Sequence, residues 1–184
     1  MAPANKGADP DQGGEKSQNG ASGEAQGARF PVARHDHAAC VSDALAHADA
    51  LCRERSLRLT PNRRQVLEAL VADHKPLSAY DIADRIDWQG RRGGPVQVYR
   101  ALRFFEDLGL VHRIESLNAF VACSHYEEDH GAQFLVCTDC GRVAEASDRG
   151  VKREIGKLAR QAGFEVHDPV IEIRGLCPDC GGTR

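Results

Sequence analysis

Two cysteine pairs, Cys137-Thr138-Asp139-Cys140 and Cys177-Pro178-Asp179-Cys180, stand in the last third of the 184-residue chain, each followed by a glycine. Two C-x-x-C knuckles supply four thiolates, the full ligand set of a closed tetrahedral zinc site. The 36 residues between the knuckles exceed the about 15–20 of a compact zinc ribbon, so one metal would clamp both ends of a small domain. The competing chemistries are two dithiol redox pairs or two disulfides. Neither pair lies in a thioredoxin-like strand-to-helix setting and nothing suggests export, so structural zinc is the expectation.

A second group of donors precedes the first knuckle: His112, Cys123, His125 and His130, with Glu145 just past Cys140. Zinc accepts imidazole, thiolate and carboxylate in one tetrahedron. A lone histidine on a strand is usually an ordinary surface or satisfied group. Several donors at a predicted hinge change that, because a metal there would fix one domain against another. A sulfur ligand favours zinc, whereas oxygen and nitrogen sites also suit iron or manganese. His47, His74 and His167 are read as ordinary histidines.

Compartment and charge narrow the setting. No apolar run approaches the ~20 residues of a membrane span. The N-terminus carries no short hydrophobic core of a signal peptide, so the expectation is a cytoplasmic chain with reduced thiols. Seven cysteines there point to metal. The net charge of −3 divides unevenly: −3 over residues 1–52, +4 over 53–113 and −4 over 114–184. A basic middle before an acidic rear suits a polyanion-binding module joined to a different domain.

The elements that must position these groups are legible as patterns. Residues 1–35 are Gly, Ala, Ser, Gln and Asp with almost no large apolar side chain, a disordered tail by composition. Helical spacing of Val41, Leu45, Ala48, Leu51 and Cys52 predicts a helix over 38–57, with Cys52 as a small core residue and Cys40 unassigned. Thr60-Pro61 caps and starts a second helix with Val66, Leu67, Leu70 and Val71 on one face. Ser78 and Asp81 form a capping box for a third helix, with Ile82 and Ile86 inward. A Gly/Arg-rich turn over 88–94 leads to Pro95 and a fourth helix with Val98, Leu102 and Phe105 as core stripe, ended by Gly109. Residues 110–114 and 119–122 read as a hairpin around Leu117-Asn118. Three helices, a turn, a further helix and a hairpin describe a winged helix-turn-helix over 36–122.

Beyond it, 123–131 reads as a hinge and 132–184 as a compact α/β unit. Strands are expected over 134–136, 143–146, 164–167 and 170–173, with a helix through Val151, Ile155, Leu158 and Ala159 that ends near Gly163. The fold class is therefore α+β, with an N-terminal winged helix-turn-helix and a C-terminal α/β domain.

A helix in the major groove reads bases with a few side chains, arginine on guanine being the commonest contact. Arg100 lies on the solvent face near the start of the fourth helix, flanked by Tyr99 and Arg103, and Tyr80 opens the preceding helix. Arg63, Arg64, Arg91 and Arg92 are placed for phosphates, which position rather than specify. No nucleophile–base pair or phosphate loop is present, so no catalysis is expected.

Leu59-Thr60-Pro61-Asn62-Arg63-Arg64, Ser78-Ala79-Tyr80-Asp81, Val98-Tyr99-Arg100-Ala101-Leu102, Gly109-Leu110-Val111-His112 and the two knuckles together resemble the ferric uptake regulator family. Within it, His112, Glu115-Ser116 and Cys123 resemble most closely the zinc uptake regulator branch. The resemblance implies a homodimeric, zinc-sensing repressor with a winged-helix half and a C-terminal dimerisation half. It places structural zinc on Cys137, Cys140, Cys177 and Cys180, and the sensory site on His112, Cys123, His130 and Glu145, with His125 a rival ligand: about two zinc ions per chain. Gln97 stands where the family usually has a small hydroxyl residue.

The reading is a zinc-responsive, sequence-specific repressor of zinc-uptake genes that binds an inverted-repeat DNA operator. The alternatives are an iron- or peroxide-sensing member, or a dithiol redox or metal-handling protein of a different class.

Overall fold

The computed structural model describes residue 30 and residues 37–72, 75–88, 90, 93–124, 132–167 and 169–182. The tail assigned to 1–35, apart from Phe30, lies outside the described residues, as do His74, Arg91, Arg92 and residues 125–131 of the hinge.

Local signals start and stop the helices of the first half. Helix α1 (His37–Glu54) lays Ala44, Ala48 and Cys52 into the core. The Thr60 side chain accepts the Arg63 N–H and Pro61 occupies the first position of α2 (Pro61–Val71). Ser78 and Asp81 cap each other's backbone at the start of α3 (Ala79–Arg85). Helix α4 (Pro95–Glu106) buries Val98, Ala101, Leu102 and Phe105. Gly109, at φ +73°, takes the left-handed conformation that ends it. Strands β1 (Val111–Ile114) and β2 (Ala119–Ala122) pair antiparallel around a 3-10 turn at Glu115–Leu117 and a left-handed Asn118. Leu77 bridges Phe120 on the hairpin through two backbone hydrogen bonds of 3.0 and 2.8 Å. This is a winged helix-turn-helix.

The second half is a three-stranded sheet in the order β4-β3-β5. Strands β3 (Ala132–Cys137) and β4 (Val143–Ala146) form a hairpin around the first knuckle. Strand β5 (Val170–Gly175) runs parallel to β3, which requires a crossover, and α5 (Arg149–Gln161) lies in it, capped by Asp148. The second knuckle opens the short α6 (Pro178–Gly181).

One expected element is absent: residues 164–167 are not a strand. Their alternation is strand-like, yet a strand needs a partner edge. The Phe164 N–H instead turns back to the Ala159 carbonyl at 2.8 Å, and Phe164 stays 66 % exposed.

Two cores result. The larger joins α1 to α4 and the base of the hairpin. The smaller joins Ile114 and Val121 of the wing to Phe134, Val136 and Val143 of the sheet. Fully burying a side chain of Ile114's size contributes about 1.5–3 kcal/mol, so the wing is docked on the sheet by its own apolar plug. Helix α5 buries no residue, and Val151, Ile155 and Leu158 are exposed along it. Among the described residues, no helix is long and apolar enough to cross a membrane.

Candidate metal centres and nucleic-acid interface

The two knuckles converge because β3 and β5 run parallel and end together, Cys137 pairing with Gly175. Cys137, Cys140, Cys177 and Cys180 present sulfur atoms all within 4.8 Å of one another. The Cys140 and Cys177 sulfurs are 3.8 Å apart, the edge of a tetrahedron with Zn–S bonds of about 2.3 Å. The thiols are primed unequally. Backbone N–H groups of Cys140 and then Cys177 hold the Cys137 thiol down at about 6, against the opposing effect of burial. The Arg142 guanidinium lowers Cys140. Cys180 is pushed up by hydrogen bonding to Asp139 and to its fellow thiols. Four sulfur atoms gathered this closely form a donor set that a compact divalent cation would stabilise in the thiolate form.

Arg142 was not singled out by sequence reasoning. Its guanidinium donates to Cys140 at 3.4 Å and Cys177 at 3.3 Å, and to Asp179 on the second knuckle. Four thiolates around a divalent ion leave a net charge of about −2, and Arg142 offsets part of it. Its place two residues after Cys140, in the hairpin return, was the only sequence signal.

The second centre spans the two halves. His112 lies on β1, Cys123 immediately follows β2, and Glu145 sits on β4. One donor atom from each lies within 4.8 Å of the others. His112 Nε2 is 3.2 Å and Cys123 Sγ 3.6 Å from Glu145 Oε1, close to the ligand–ligand edge of about 3.3–3.8 Å around zinc. Ser124, also unanticipated, donates to Glu145 Oε2 from its N–H and its hydroxyl, both at 2.7 Å. Burial works to raise the Glu145 carboxyl, but hydrogen bonds from His112 and Ser124 outweigh it and hold the group well below the usual carboxylate range. The carboxylate is ionised and turned so that one oxygen is tied and the other faces the imidazole and thiol. His130 and His125, the fourth-ligand candidates, lie outside the described residues.

The helix-turn-helix presents a separate face. Val96, Tyr99, Arg100 and Arg103 occupy outward positions of α4 opposite its buried stripe, and Tyr80 is exposed at the start of α3. Tyr99 meets Phe120 of the wing edge-on, ring centroids 6.2 Å apart. Val96, 61 % exposed, carries no sequence signal for a surface role, because an apolar side chain on an amphipathic helix ordinarily belongs to its core face. Arg63 and Arg64 are engaged within the fold: Arg63 stacks 3.4 Å over the Phe104 ring, and Arg64 pairs with Asp49 at 3.0 Å. Ahead of α4, the Trp88 ring lies against Gly93 and its indole N–H donates to the Ala83 carbonyl at 3.1 Å.

Comparison with known proteins agrees with this arrangement. The zinc uptake regulation protein of Escherichia coli (strain K12) is 37 % identical over 137 residues, covering 74 % of this chain and 80 % of that protein. The ferric uptake regulation protein of Legionella pneumophila is 33 % identical over 132 residues, covering 70 % and 94 %. Among solved structures, a zinc uptake regulator complexed with zinc and DNA superposes with a TM-score of 0.71 at 36 % identity, covering 76 % of this chain and 93 % of that one. Holo XcZur gives 0.69 at 38 %, covering 78 % and 99 %. Residues 54–174, from the end of α1 to the last strand, match the ferric uptake regulator family, and the chain belongs to that family.

Proposed function

We propose that the chain is a zinc-responsive, sequence-specific DNA-binding repressor, a regulator rather than an enzyme, that acts as a homodimer on zinc-uptake genes in the cytoplasm. The observation that carries this reading is the His112–Cys123–Glu145 triad, whose donors come from both halves of the molecule. It unites an imidazole, a thiolate and a carboxylate, a set that suits zinc better than ferrous iron or manganese because of its sulfur. The zinc-and-DNA-bound relative and the curated zinc uptake regulator support the same choice.

In this reading winged-helix residues 36–122 read DNA, 123–131 form the hinge, and 132–184 form the dimerisation domain. Cys137, Cys140, Cys177 and Cys180 hold structural zinc. His112, Cys123 and Glu145, with His130 as fourth ligand, form the sensory site, so each chain carries about two zinc ions. Bound there, zinc supplies a divalent charge that joins wing to sheet. Ser124 presents the Glu145 oxygen, and the Ile114 plug fixes where the wing lands. Arg100, with Tyr99, Tyr80 and Arg103, meets the operator, while Arg63 and Arg64 line the flank of the reading half. The exposed stripe of Val151, Ile155 and Leu158 is covered by the second copy.

The test is binding to duplex DNA at buffered free zinc, ferrous iron and manganese. Binding that rises with zinc at the lowest free concentration supports the reading. Indifference to a chelator that strips the triad but spares the four thiolates overturns it. About two zinc ions per freshly purified chain separate this reading from a dithiol enzyme, which would carry free thiols and no metal.

A further inference from the structure

One row of side chains crosses the sheet from edge to edge. Phe134 on β3 is in register with Glu145 on β4 and with Glu172 on β5. Cross-strand partners share a face, and this face receives the wing. Glu145 at one end engages His112 and Ser124 at the open end of the hairpin. Phe134 in the middle is fully buried against Ile114, its ring 5.4 Å from that of His112. At the other end, the two oxygens of Glu172 accept the backbone N–H groups of Glu115 at 2.6 Å and Ser116 at 3.1 Å. These N–H groups open the 3-10 turn at the wing tip, where helical N–H groups have no partner of their own. A carboxylate 56 residues or more away in sequence caps that turn from the other half of the molecule.

The dimensions agree. Two strand-to-strand steps separate Glu145 from Glu172, about 10 Å, and three residues of extended β1 from His112 to Glu115 span about 10 Å. Strand β1 therefore lies across the sheet, held at its two ends by two carboxylates from one row. Only the Glu145 end includes metal-ligand chemistry; the Glu172 end is complete with protein atoms alone.

We propose that Glu172 is a positioning residue that sets the zinc threshold of the sensory triad. It holds the wing tip on the sheet without metal, and so raises the fraction of molecules in which His112 and Cys123 already stand beside Glu145. Apparent affinity at a site built from two moving parts is its intrinsic affinity scaled by that fraction. This inference rests on the zinc-sensing reading above.

The experiment compares wild type with Glu172→Gln, near-isosteric but presenting a neutral amide, and with Glu172→Ala as a second variant. All are full-length dimers carrying structural zinc. The first readout is amide hydrogen exchange at Glu115 and Ser116 with the triad stripped by chelator: both amides should be protected in wild type, both exposed in Glu172→Ala, and at least one, the amide that would face the glutamine NH2, exposed in Glu172→Gln. The second is the free-zinc midpoint for binding a duplex that zinc-loaded wild type selects from a random-sequence pool. Losing a charge-assisted cap should raise that midpoint by about tenfold, while affinity at saturating zinc changes far less. An unchanged midpoint overturns the proposal, whether or not the melting temperature falls. So does exchange at Glu115 and Ser116 that is equal in wild type and variant. A wild type whose DNA binding shows no zinc-dependent step overturns the sensing reading itself, and the exchange comparison then judges the Glu172 contact separately.

Discussion

The two oxygens of the Glu145 carboxylate have different jobs. Oε2 takes both hydrogen bonds from Ser124, which turns Oε1 toward His112 and Cys123, the position a one-point ligand would occupy. Groups that orient a ligand typically matter 10–100-fold for metal affinity. Ser124→Ala removes the hydroxyl but keeps the N–H, so it should weaken the sensory site about tenfold, at the lower end of that range; competition with a chromogenic chelator measures it. Cys123→Ser should go further. Zinc content should fall from about two ions to about one per chain, and zinc should no longer stimulate DNA binding, while the four-thiolate site persists. A variant that keeps both ions would remove Cys123 from the ligand set. His112, Cys123 and the four knuckle cysteines were visible in the sequence because imidazole and thiol are scarce and their spacing carries information. Ser124, Arg142 and Glu172 were not. A serine and one of 27 acidic residues acquire roles through neighbours the chain brings from far away, and Arg142, though close to Cys140, is completed by Cys177 and Asp179 of the distant knuckle.

Among the elements, the caps were the most legible, since Thr60-Pro61 and Ser78/Asp81 act within four residues of themselves. The strand expected at 164–167 failed for the converse reason: strand formation depends on a partner edge that local alternation cannot report. The link between α3 and α4 belongs to this scale too. A Cβ on Gly93 would fall 1.8 Å from the Trp88 ring, so Gly93→Ala must move the indole that anchors to Ala83. Overpacking of this kind costs about 1–3 kcal/mol, and the urea midpoint should drop accordingly. Because the Trp88 ring lies between the end of α3 and Gly93, two residues before α4, specific DNA binding should fall by more than the lost stability explains. A drop in stability with unaltered sequence preference would show that the indole does not aim α4.

For the whole molecule, the metal donors at the junction were legible, but the Ile114–Phe134 packing and the Glu172 contact to Glu115 and Ser116 were not, since each joins residues that sequence leaves far apart. The second copy is another matter of scale. Val151, Ile155 and Leu158 form an exposed stripe on α5 that, among the described residues, nothing buries, and Phe164, Ile173 and Leu176 are exposed as well. Leu158→Asp places a charge on that stripe and should yield monomers in sedimentation velocity, with the four-thiolate zinc retained, because that site is complete within one chain. Persistent dimers would move the interface elsewhere.

The transverse placement of β1 has a geometric corollary. A bar pinned at two points about 10 Å apart converts translation into tilt: slackening one pin by about 1 Å swings it by about 6° over that span. The hairpin continues directly from α4 through Gly109, with Leu110 bonded back to Phe105, so the reading helix shares any swing of the bar. In a twofold pair the two swings are mirrored in effect, and the misfit against a rigid duplex is doubled. A slight loosening at the buried pivot is thereby magnified at the DNA, which is the property a sensor of scarce ions requires.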